Sequence, residues 1–315
     1  MSSVNSNTNI TIVTPCFNEG ETILSFLNNL CDVLQKLPHH FQIVVVDDCS
    51  YDNTVEKLKS WKCNCSNAEL HLIVLKYNSG HQQAIFQGLL YTKQLQQTHV
   101  IIMDADGEDD PKAIVPALQK SDADIVEIKR GKRKESVGFM LSYYFYKLLF
   151  KVITGKKMDF GNYCILRYAI VERIQLTSFI HLPAYLLKQK ASKSFIVFDR
   201  NKRIQGKSKM GYKNLLLHAF KSFIEFGDDM LLWFLRVFAV VFILLIATSV
   251  NLLYQKFITQ TAILGWFSTL SLGLINLAIL CLGFFVMGIL MLNLIHNRSK
   301  DLREVFTIVI GRKNE

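Results

Sequence analysis

The sequence of 315 residues predicts an α/β fold with a mostly parallel sheet, followed by helices that meet a membrane. Short β-branched runs alternate with helical patterns in the first half, and polar residues follow several of these runs. Alternating strands and helices imply right-handed crossovers and a parallel sheet. Apolar residues make up half of the chain, and their excess lies after residue 230. This uneven distribution predicts a soluble domain joined to a membrane segment.

Five strands are predicted in the first 130 residues, because each is a short apolar run that ends at turn-forming or polar residues. They span residues 10–14, 41–46, 70–75, 100–103 and 125–128. Helical patterns begin after residues 20, 53 and 80. Open α/β sheets bind ligands at the carboxyl ends of their strands. The polar residues that follow the first, second and fourth strands therefore define a candidate site.

The fourth strand runs directly into an acidic cluster that contains Asp104, Asp106 and Glu108. Beyond the end of a strand the side chains no longer alternate, so Asp104 and Asp106 can converge on one point. Hard carboxylate oxygens suit Mg²⁺ or Mn²⁺, and such an ion keeps open positions for substrate phosphates. The alternative is an acidic surface loop that caps a helix.

Two common nucleotide-binding motifs are absent from the sequence, which narrows the classes of enzyme that it could encode. No GxGxxG follows the first strand, which disfavours a dinucleotide-binding dehydrogenase, and no GxxxxGK[ST] is present. The seven cysteines have irregular spacing, so reduced thiols are expected and a zinc site is not. Residues 1–9 lack the features of a signal peptide. The formal charge of +10 is compatible with anionic lipid or a phosphorylated substrate.

Residues 10 to about 210 resemble the inverting GT-A glycosyltransferases of family 2. Within that family they look like the polyprenyl-phosphate branch, which includes the dolichol-phosphate mannose synthases. The specific feature is the order and spacing of several weak motifs. The matching residues are Thr14-Pro15-Cys16-Phe17-Asn18-Glu19, Val46-Asp47-Asp48-Cys49-Ser50 with Asn53-Thr54, Asn78-Ser79-Gly80 with Ala84 and Gly88, Asp104-Ala105-Asp106-Gly107-Glu108 with Pro111, Asp124-Ile125-Val126 with Arg130, Asp159 with Leu166-Arg167, and Arg203 with Gly206-Lys207-Ser208-Lys209.

The resemblance implies roles for these positions. The nucleotide sugar would be bound by Pro15, Asn18, Glu19, Asp48, Asp104 and Asp106. Mg²⁺ or Mn²⁺ would be held by Asp104, Asp106 and Glu108. Catalysis would involve Asp159, as base or positioning group, with Arg130, Arg203 and Lys209. The acceptor phosphate would be bound by Arg200, Arg203, Ser208 and Lys209.

Several of these residues also have simpler interpretations. Asp48 could cap a helix, and the basic cluster around Arg130 is typical of a solvated surface. The basic run 200–209 could be only the positive flank of the membrane helices. The sequence also departs from the family pattern at two places. Glu108 stands where relatives usually carry Gln, and Asn162-Tyr163-Cys164 replaces a segment that usually carries Phe-Arg.

The second half of the chain predicts membrane attachment. Residues 1–210 form the GT-A domain in this interpretation, and 211–230 form an amphipathic juxtamembrane helix. Residues 231–297 contain two uncharged stretches, 237–254 and 263–295, each long enough to cross a bilayer once. The second crossing is placed at about 272–295. Residues 298–315 form a basic tail, and the positive-inside rule puts both termini and the catalytic domain in the cytoplasm, at the inner membrane.

The sequence therefore predicts a membrane-anchored, metal-dependent glycosyltransferase. Its partners would be a UDP- or GDP-linked sugar, a polyprenyl phosphate (undecaprenyl or dolichyl) and membrane lipid; nucleic acid is not expected, and a homo-oligomer is left open. One alternative is a transferase for a polysaccharide or other glycan, although no Trp lies in the QxxRW context of processive synthases. A non-catalytic membrane scaffold is a further alternative, which the intact Asp104 and Asp106 disfavour.

Overall fold

The computed structural model describes residues 8–131, 137–199, 212–260, 265–298 and 305–311. The chain divides into two compact units. The first comprises Met1–Tyr144, Lys157–Glu225 and Asp301–Glu315, and the second comprises Phe145–Lys156 and Phe226–Lys300.

A mixed sheet forms the centre of the first unit, and eight strands of it lie among the described residues. They are β1 (Asn9–Cys16), β2 (His40–Asp47), β3 (Ala68–Leu75), β4 (His99–Ile102), β5 (Ile125–Arg130), β6 (Cys164–Arg167), β7 (Lys193–Phe198) and β8 (Phe306–Ile310). Their order across the sheet is β7-β5-β6-β4-β1-β2-β3-β8. The β4-β1-β2-β3 core is parallel, whereas β6 pairs antiparallel with β4 and β5, and β8 pairs antiparallel with β3. The predicted α/β class is confirmed, with each predicted strand present.

Helices follow the strands as predicted, and several more are present. They are α1 (Ile23–Leu34), α2 (Thr54–Ser60), α3 (His81–Tyr91), α4 (Ile114–Leu118), α5 (Val137–Thr154), α6 (Tyr168–Thr177), α7 (Leu182–Lys188), α8 (Tyr212–Glu225), α9 (Gly227–Tyr254) and α10 (Trp266–Arg298). The central strands are buried on both faces, so their sequences are nearly continuous apolar runs. One apolar cluster contains α1 residues and another contains α3 residues, each with residues of the sheet.

Strand β8 is an element that the sequence analysis did not predict. It lies within residues 298–315, whose charges suggested only a basic tail. Its register pairs Phe306 with Leu75 and Ile308 with Ile73. The amide of Lys76 donates a hydrogen bond to the Val305 carbonyl at 3.0 Å. The end of the chain thus supplies the strand that pairs with β3, whose N–H and C=O groups would otherwise be open on that side.

Two helices of the second unit are long and apolar enough to cross a membrane. The segments are Gly227–Thr259, whose most apolar stretch of 18 residues has a mean hydropathy of 2.7, and Ser268–Met291, where that value is 2.6. Only 6% and 11% of their most apolar windows are buried within the protein, which is unlike the core helix of a soluble domain. Both begin earlier in the chain than the predicted crossings 237–254 and 272–295. A π-helical turn, Gln255–Thr259, extends the first helix.

Gly88 allows α3 to pack closely on the sheet. A Cβ at this position would lie 2.5 Å from Val13 Cγ1 and 2.8 Å from Val46 Cγ2, and both valines are fully buried. We expect Gly88→Ala to destabilise the protein by about 1–3 kcal/mol, because buried branched side chains must move to admit the methyl group. The loss would be measured as a lower thermal midpoint in detergent.

Gly283→Ala is the matched control for this prediction. Gly283 is also helical, and a Cβ there meets no atom within 4 Å. The control should unfold at the wild-type temperature or above it, because alanine has the higher helix propensity. Equal midpoints for Gly88→Ala and wild type would show that α3 does not need this close approach.

Candidate active site

The carboxyl ends of the parallel strands meet at one edge of the sheet, and most of the predicted site residues lie there. Asn18 and Glu19 follow β1, and Asp48 follows β2. His81 begins α3 after β3, and Asp104 follows β4. Pro15, Asn18, Glu19 and Asp48, four of the six residues predicted to bind the nucleotide sugar, therefore lie at the same edge of the sheet as the acidic cluster.

Asn18 joins the loop after β1 to the loop after β2. Its backbone is in the left-handed conformation, with φ of 53°, and its backbone N–H donates a hydrogen bond to Ser50 Oγ at 2.9 Å. Its Oδ1 accepts a hydrogen bond from the Tyr51 amide at 3.0 Å. Pro15 is buried in β1 beside this connection. The predicted residues Pro15 and Asn18 thus both belong to the backbone that supports this edge of the sheet.

Glu19 makes a second connection between the same two loops. Its amide donates to Thr54 Oγ1 at 3.0 Å, and Thr54 is the first residue of α2. The Thr22 hydroxyl donates to Glu19 Oε2 at 2.7 Å. The carboxylate of Glu19 is only half-buried, which leaves it within reach of a ligand.

Asp48 is buried, and both of its carboxylate oxygens accept hydrogen bonds from the turn before α3. Oδ1 accepts from the Ser79 amide at 2.8 Å, and Oδ2 accepts from the Gly80 amide at 2.9 Å. Burial raises the pKa of Asp48, and these hydrogen bonds oppose the rise because they stabilise the ionised form. Gly80 has a φ of 86°, a conformation that favours glycine. Asp48 therefore holds the turn that leads into α3.

The acidic cluster after β4 is folded by hydrogen bonds from its own backbone. The Asp104 amide donates to Asp109 Oδ2 at 3.0 Å, and the Glu108 amide donates to Asp106 Oδ1 at 3.0 Å. Gly107 has a φ of 80°, which makes the tight turn between them possible. Asp109 is buried and was not among the predicted site residues. Its position in the run of acids was the available signal.

A divalent cation fits this cluster by its donor chemistry. Asp104 and Asp106 present partly exposed carboxylates at the edge. Across the described ranges, no group of three or more His, Cys, Asp or Glu side chains is placed to hold an ion. The proposed set of Asp104, Asp106 and Glu108 is therefore not preformed as a three-ligand cage. One or two carboxylates completed by substrate phosphates is the arrangement that Mg²⁺ usually adopts.

His81 adds a residue to the site that the sequence analysis left out. Its Nε2 lies 3.2 Å from Asp104 Oδ1 and 3.0 Å from Asn162 Nδ2. The imidazole is 41% exposed, so it faces the open edge. Burial lowers the pKa of His81, but the nearby carboxylates of Asp104, Asp106 and Asp109 outweigh it and raise the pKa above its usual value. The signal in the sequence was its position directly after Gly80.

The remaining predicted residues are placed as follows. Arg130 is the last residue of β5, and Asp159 is exposed in the loop between α5 and β6. Asp159 contributes to raising the pKa of Glu127, although burial is the larger cause. The predicted phosphate-binding residues Arg200, Arg203, Ser208 and Lys209 lie outside the described residues.

This arrangement of strands and motifs can be compared with known proteins. The family model for glycosyl transferase family 2 matches residues 11–174, which is more than half of the chain. The chain belongs to glycosyl transferase family 2. Residues 11–174 include most of β1, all of β2 to β6 and the whole acidic cluster, so the match covers the parallel core and its edge. The predicted family is confirmed, and the chain is a glycosyltransferase.

Two relatives show how far the similarity extends. An uncharacterized glycosyltransferase of Synechocystis sp. is 27% identical over 233 residues, which is 69% of this chain and 69% of that protein. The undecaprenyl-phosphate 4-deoxy-4-formamido-L-arabinose transferase of Yersinia pestis is 28% identical over 161 residues, which is 50% of this chain and 47% of that protein. The second relative belongs by its name to the polyprenyl-phosphate branch that the motifs resemble.

A solved structure supports the GT-A fold. Glucosyl-3-phosphoglycerate synthase from Mycobacterium tuberculosis, in complex with Mn²⁺, UDP and glucosyl-3-phosphoglycerate, matches with a TM-score of 0.51. The sequence identity is 14%, and the match covers 71% of this chain and 80% of that chain. At this identity the likeness concerns the fold, and the predicted GT-A fold is confirmed.

Proposed function

We propose that this glycosyltransferase is anchored in a membrane and moves a sugar, with inversion, from a nucleotide-diphosphate sugar to a polyprenyl phosphate. The proposal rests on one observation. The same chain contains a family 2 domain and two long helices whose apolar residues are mostly exposed. Such an anchor would hold the enzyme at the bilayer surface, where a lipid-linked acceptor presents its phosphate. The name of the Yersinia relative, an undecaprenyl-phosphate transferase, supports the same acceptor class.

The donor would bind at the carboxyl edge of the sheet. Asp104 and Asp106 are the carboxylates available to hold Mg²⁺ or Mn²⁺ against the diphosphate. The M. tuberculosis structure contains Mn²⁺ and UDP, which supports this choice of cofactor and donor. When bound, the ion would neutralise charge on the departing diphosphate. Asn18, Glu19 and Asp48 would shape the pocket for the nucleoside.

The acceptor phosphate would be its own nucleophile. A phosphate monoester has a second pKa of about 6, so it is largely ionised at neutral pH and does not require a strong base. Asp159, which is exposed in the loop before β6, would serve the acceptor as base or as positioning group. Arg130, at the end of β5, and the basic run 200–209 would bind the phosphates, Arg as a bidentate clamp and Lys as a point charge.

The two apolar helices would cross the membrane as a hairpin, with α8 at its surface. Lys221 precedes the first of these helices, and Arg236 lies within it, directly before the uncharged stretch 237–254. Arg298 ends the second helix, and Lys300 and Arg303 follow it. The positive-inside rule then keeps the catalytic domain and both termini in the cytoplasm. In this topology the basic run 200–209, which comes directly before α8 in the sequence, would lie near headgroup depth, where a polyprenyl phosphate presents its charge.

The direct test is a transfer assay with purified protein and a panel of labelled nucleotide sugars. We expect labelled product only when a polyprenyl phosphate such as undecaprenyl phosphate and Mg²⁺ or Mn²⁺ are both present. The product should partition into organic solvent, and its sugar should have the anomeric configuration opposite to that of the donor. Polyprenol without phosphate is the matched control. Equal transfer to a water-soluble glycan without polyprenyl phosphate would overturn the acceptor class.

A further inference from the structure

The segment 61–67, which joins α2 to β3, alternates in its exposure to solvent. Its even-numbered residues Lys62, Asn64 and Ser66 are exposed, whereas its odd-numbered residues are buried or half-buried. Alternation with a period of two is typical of an extended chain that has one face covered. The odd-numbered side chains of this segment therefore face another part of the protein.

That part is helix α1, which the segment contacts from end to end. At one end, the Trp61 indole N–H donates a hydrogen bond to Asn28 Oδ1 at 2.9 Å. At the other end, Asn67 Nδ2 lies 3.0 Å from the carbonyl oxygens of Leu34 and Leu37. Because both ends of the segment are held, the residues between them are kept beside the same side of α1.

Three cysteines meet in the middle of this contact. Cys31 comes three residues after Asn28 and three before Leu34, so it lies on the side of α1 that the segment covers. Its Sγ is 3.8 Å from Cys63 Sγ. The Sγ of Cys65 lies 3.9 Å from the Cys31 carbonyl oxygen. The two sulfur atoms in contact belong to residues that are 32 positions apart in the sequence.

Cys31 and Cys63 differ in their access to solvent. Cys63 is half-buried, so a small reagent can reach its sulfur, whereas Cys31 is buried. Burial raises the pKa of the Cys31 thiol, and the charge of a neighbouring Cys63 thiolate raises it further. Since the thiolate is the form of cysteine that attacks a disulfide, Cys63 is the sulfur that reacts first. Cys31 then lies within reach for a second step.

We propose that Cys31 and Cys63 are a site of reversible disulfide formation that fastens the segment 61–67 to α1, with a small disulfide such as glutathione disulfide as the oxidant. Cys63 attacks one sulfur of glutathione disulfide, which gives a mixed disulfide at Cys63 and releases one glutathione thiol. Cys31 then attacks the Cys63 sulfur, and its proton leaves with the second glutathione. Two protein thiols are oxidised, and one glutathione disulfide is reduced to two thiols.

The second step needs only a small movement. A disulfide bond is about 2.05 Å long, so the two Sγ atoms must approach each other by about 1.8 Å. Residues 61–67 belong to no helix or strand, so they can shift without breaking a hydrogen-bonded ladder. The mixed disulfide also removes the charge of Cys63, which favours ionisation of Cys31. In a reducing cytoplasm the pair stays as two thiols.

The test treats the full-length protein in detergent with glutathione disulfide and blocks the remaining thiols with N-ethylmaleimide. A digest is then analysed by mass spectrometry without reduction, and fragmentation of the peptides distinguishes Cys63 from Cys65. We expect a peptide pair linked through Cys31 and Cys63, which dithiothreitol separates. The linked protein should have a thermal midpoint about 5 °C higher, because the bond restricts the unfolded chain.

Two variants make the result specific. Cys63→Ser should give no linked peptide pair and no rise in the thermal midpoint on treatment, and its fold should survive because the side chain is only half-buried. Cys49→Ser is the matched control, since it removes the other half-buried thiol and leaves the facing pair intact. It should give the same linked pair and the same rise as wild type.

Three results would overturn the proposal. They are a wild-type protein in which Cys63 keeps glutathione and no linked pair forms, a link to Cys31 that uses Cys65, and a linked protein whose thermal midpoint does not rise. These measurements use neither a sugar donor nor an acceptor. Their outcome is therefore independent of the proposed transfer reaction.

Discussion

Asp106→Ala is expected to abolish sugar transfer. The substitution removes an oxygen ligand and the charge that would hold the divalent cation on the diphosphate. If the ion contributes about 4 kcal/mol to stabilising the transition state, its loss lowers kcat about a thousandfold. The fold should survive, because Asp106 is partly exposed and its hydrogen bond from Glu108 lies within one surface turn. Activity at saturating donor, with and without Mn²⁺, is the measurement.

Two further variants make this result specific. Asp104→Ala should be nearly as damaging, because Asp104 is the second carboxylate that we propose to hold the ion. Asp32→Ala, on the exposed face of α1, removes the same charge elsewhere and should leave turnover unchanged. Calorimetry of nucleotide binding should show dependence on Mg²⁺ or Mn²⁺ in wild type and its loss in Asp106→Ala. Near-normal turnover of Asp106→Ala would mean that the cluster is only an acidic, helix-capping loop.

The parallel core was predictable because its strands are buried on both faces. Such strands consist of apolar runs, and polar residues at their carboxyl ends mark where each one stops. The apolar runs that end before Asp48 and Asp104 show this signal, and it can be recognised without knowing which strands pair with them. Strand β6 was harder to predict, since its pattern is only four residues long, Cys164–Arg167, and it pairs with strands distant in sequence. Strand β8 was not predicted, because a local sequence pattern does not show which edge strand of a sheet lacks a partner.

The site was predictable to the level of its residue types and not to the level of their contacts. Asp48 was predicted to bind ligand, and this stays a prediction. In the structure both of its carboxylate oxygens accept hydrogen bonds from the turn at Gly80, a role that the sequence did not show. His81 and Asn162 are 81 positions apart, and no local pattern connects them. Their contact follows only from the way in which α3 and the 155–163 loop meet over the sheet.

The basic run 200–209 should govern use of the phosphate groups. Arg203→Ala and Lys209→Ala are each expected to lower kcat/KM for the polyprenyl phosphate or for the donor diphosphate by about ten- to a hundredfold, which is the range for one lost charge-assisted contact of about 1.5–3 kcal/mol. Arg203→Lys separates charge from geometry, because lysine keeps the charge and loses the bidentate fork. It should recover only part of the activity.

The double variant distinguishes a phosphate clamp from a general basic flank. If Arg203 and Lys209 bind one phosphate, the combined loss should be smaller than the product of the two single losses. A flank that only attracts the acceptor to an anionic membrane would instead give additive losses that shrink together as salt is raised. The assay therefore compares kcat/KM for the donor and for undecaprenyl phosphate at two salt concentrations in detergent micelles without anionic lipid. Wild-type values for both single variants under these conditions would remove the run from the phosphate site and leave it the role of a positive-inside flank.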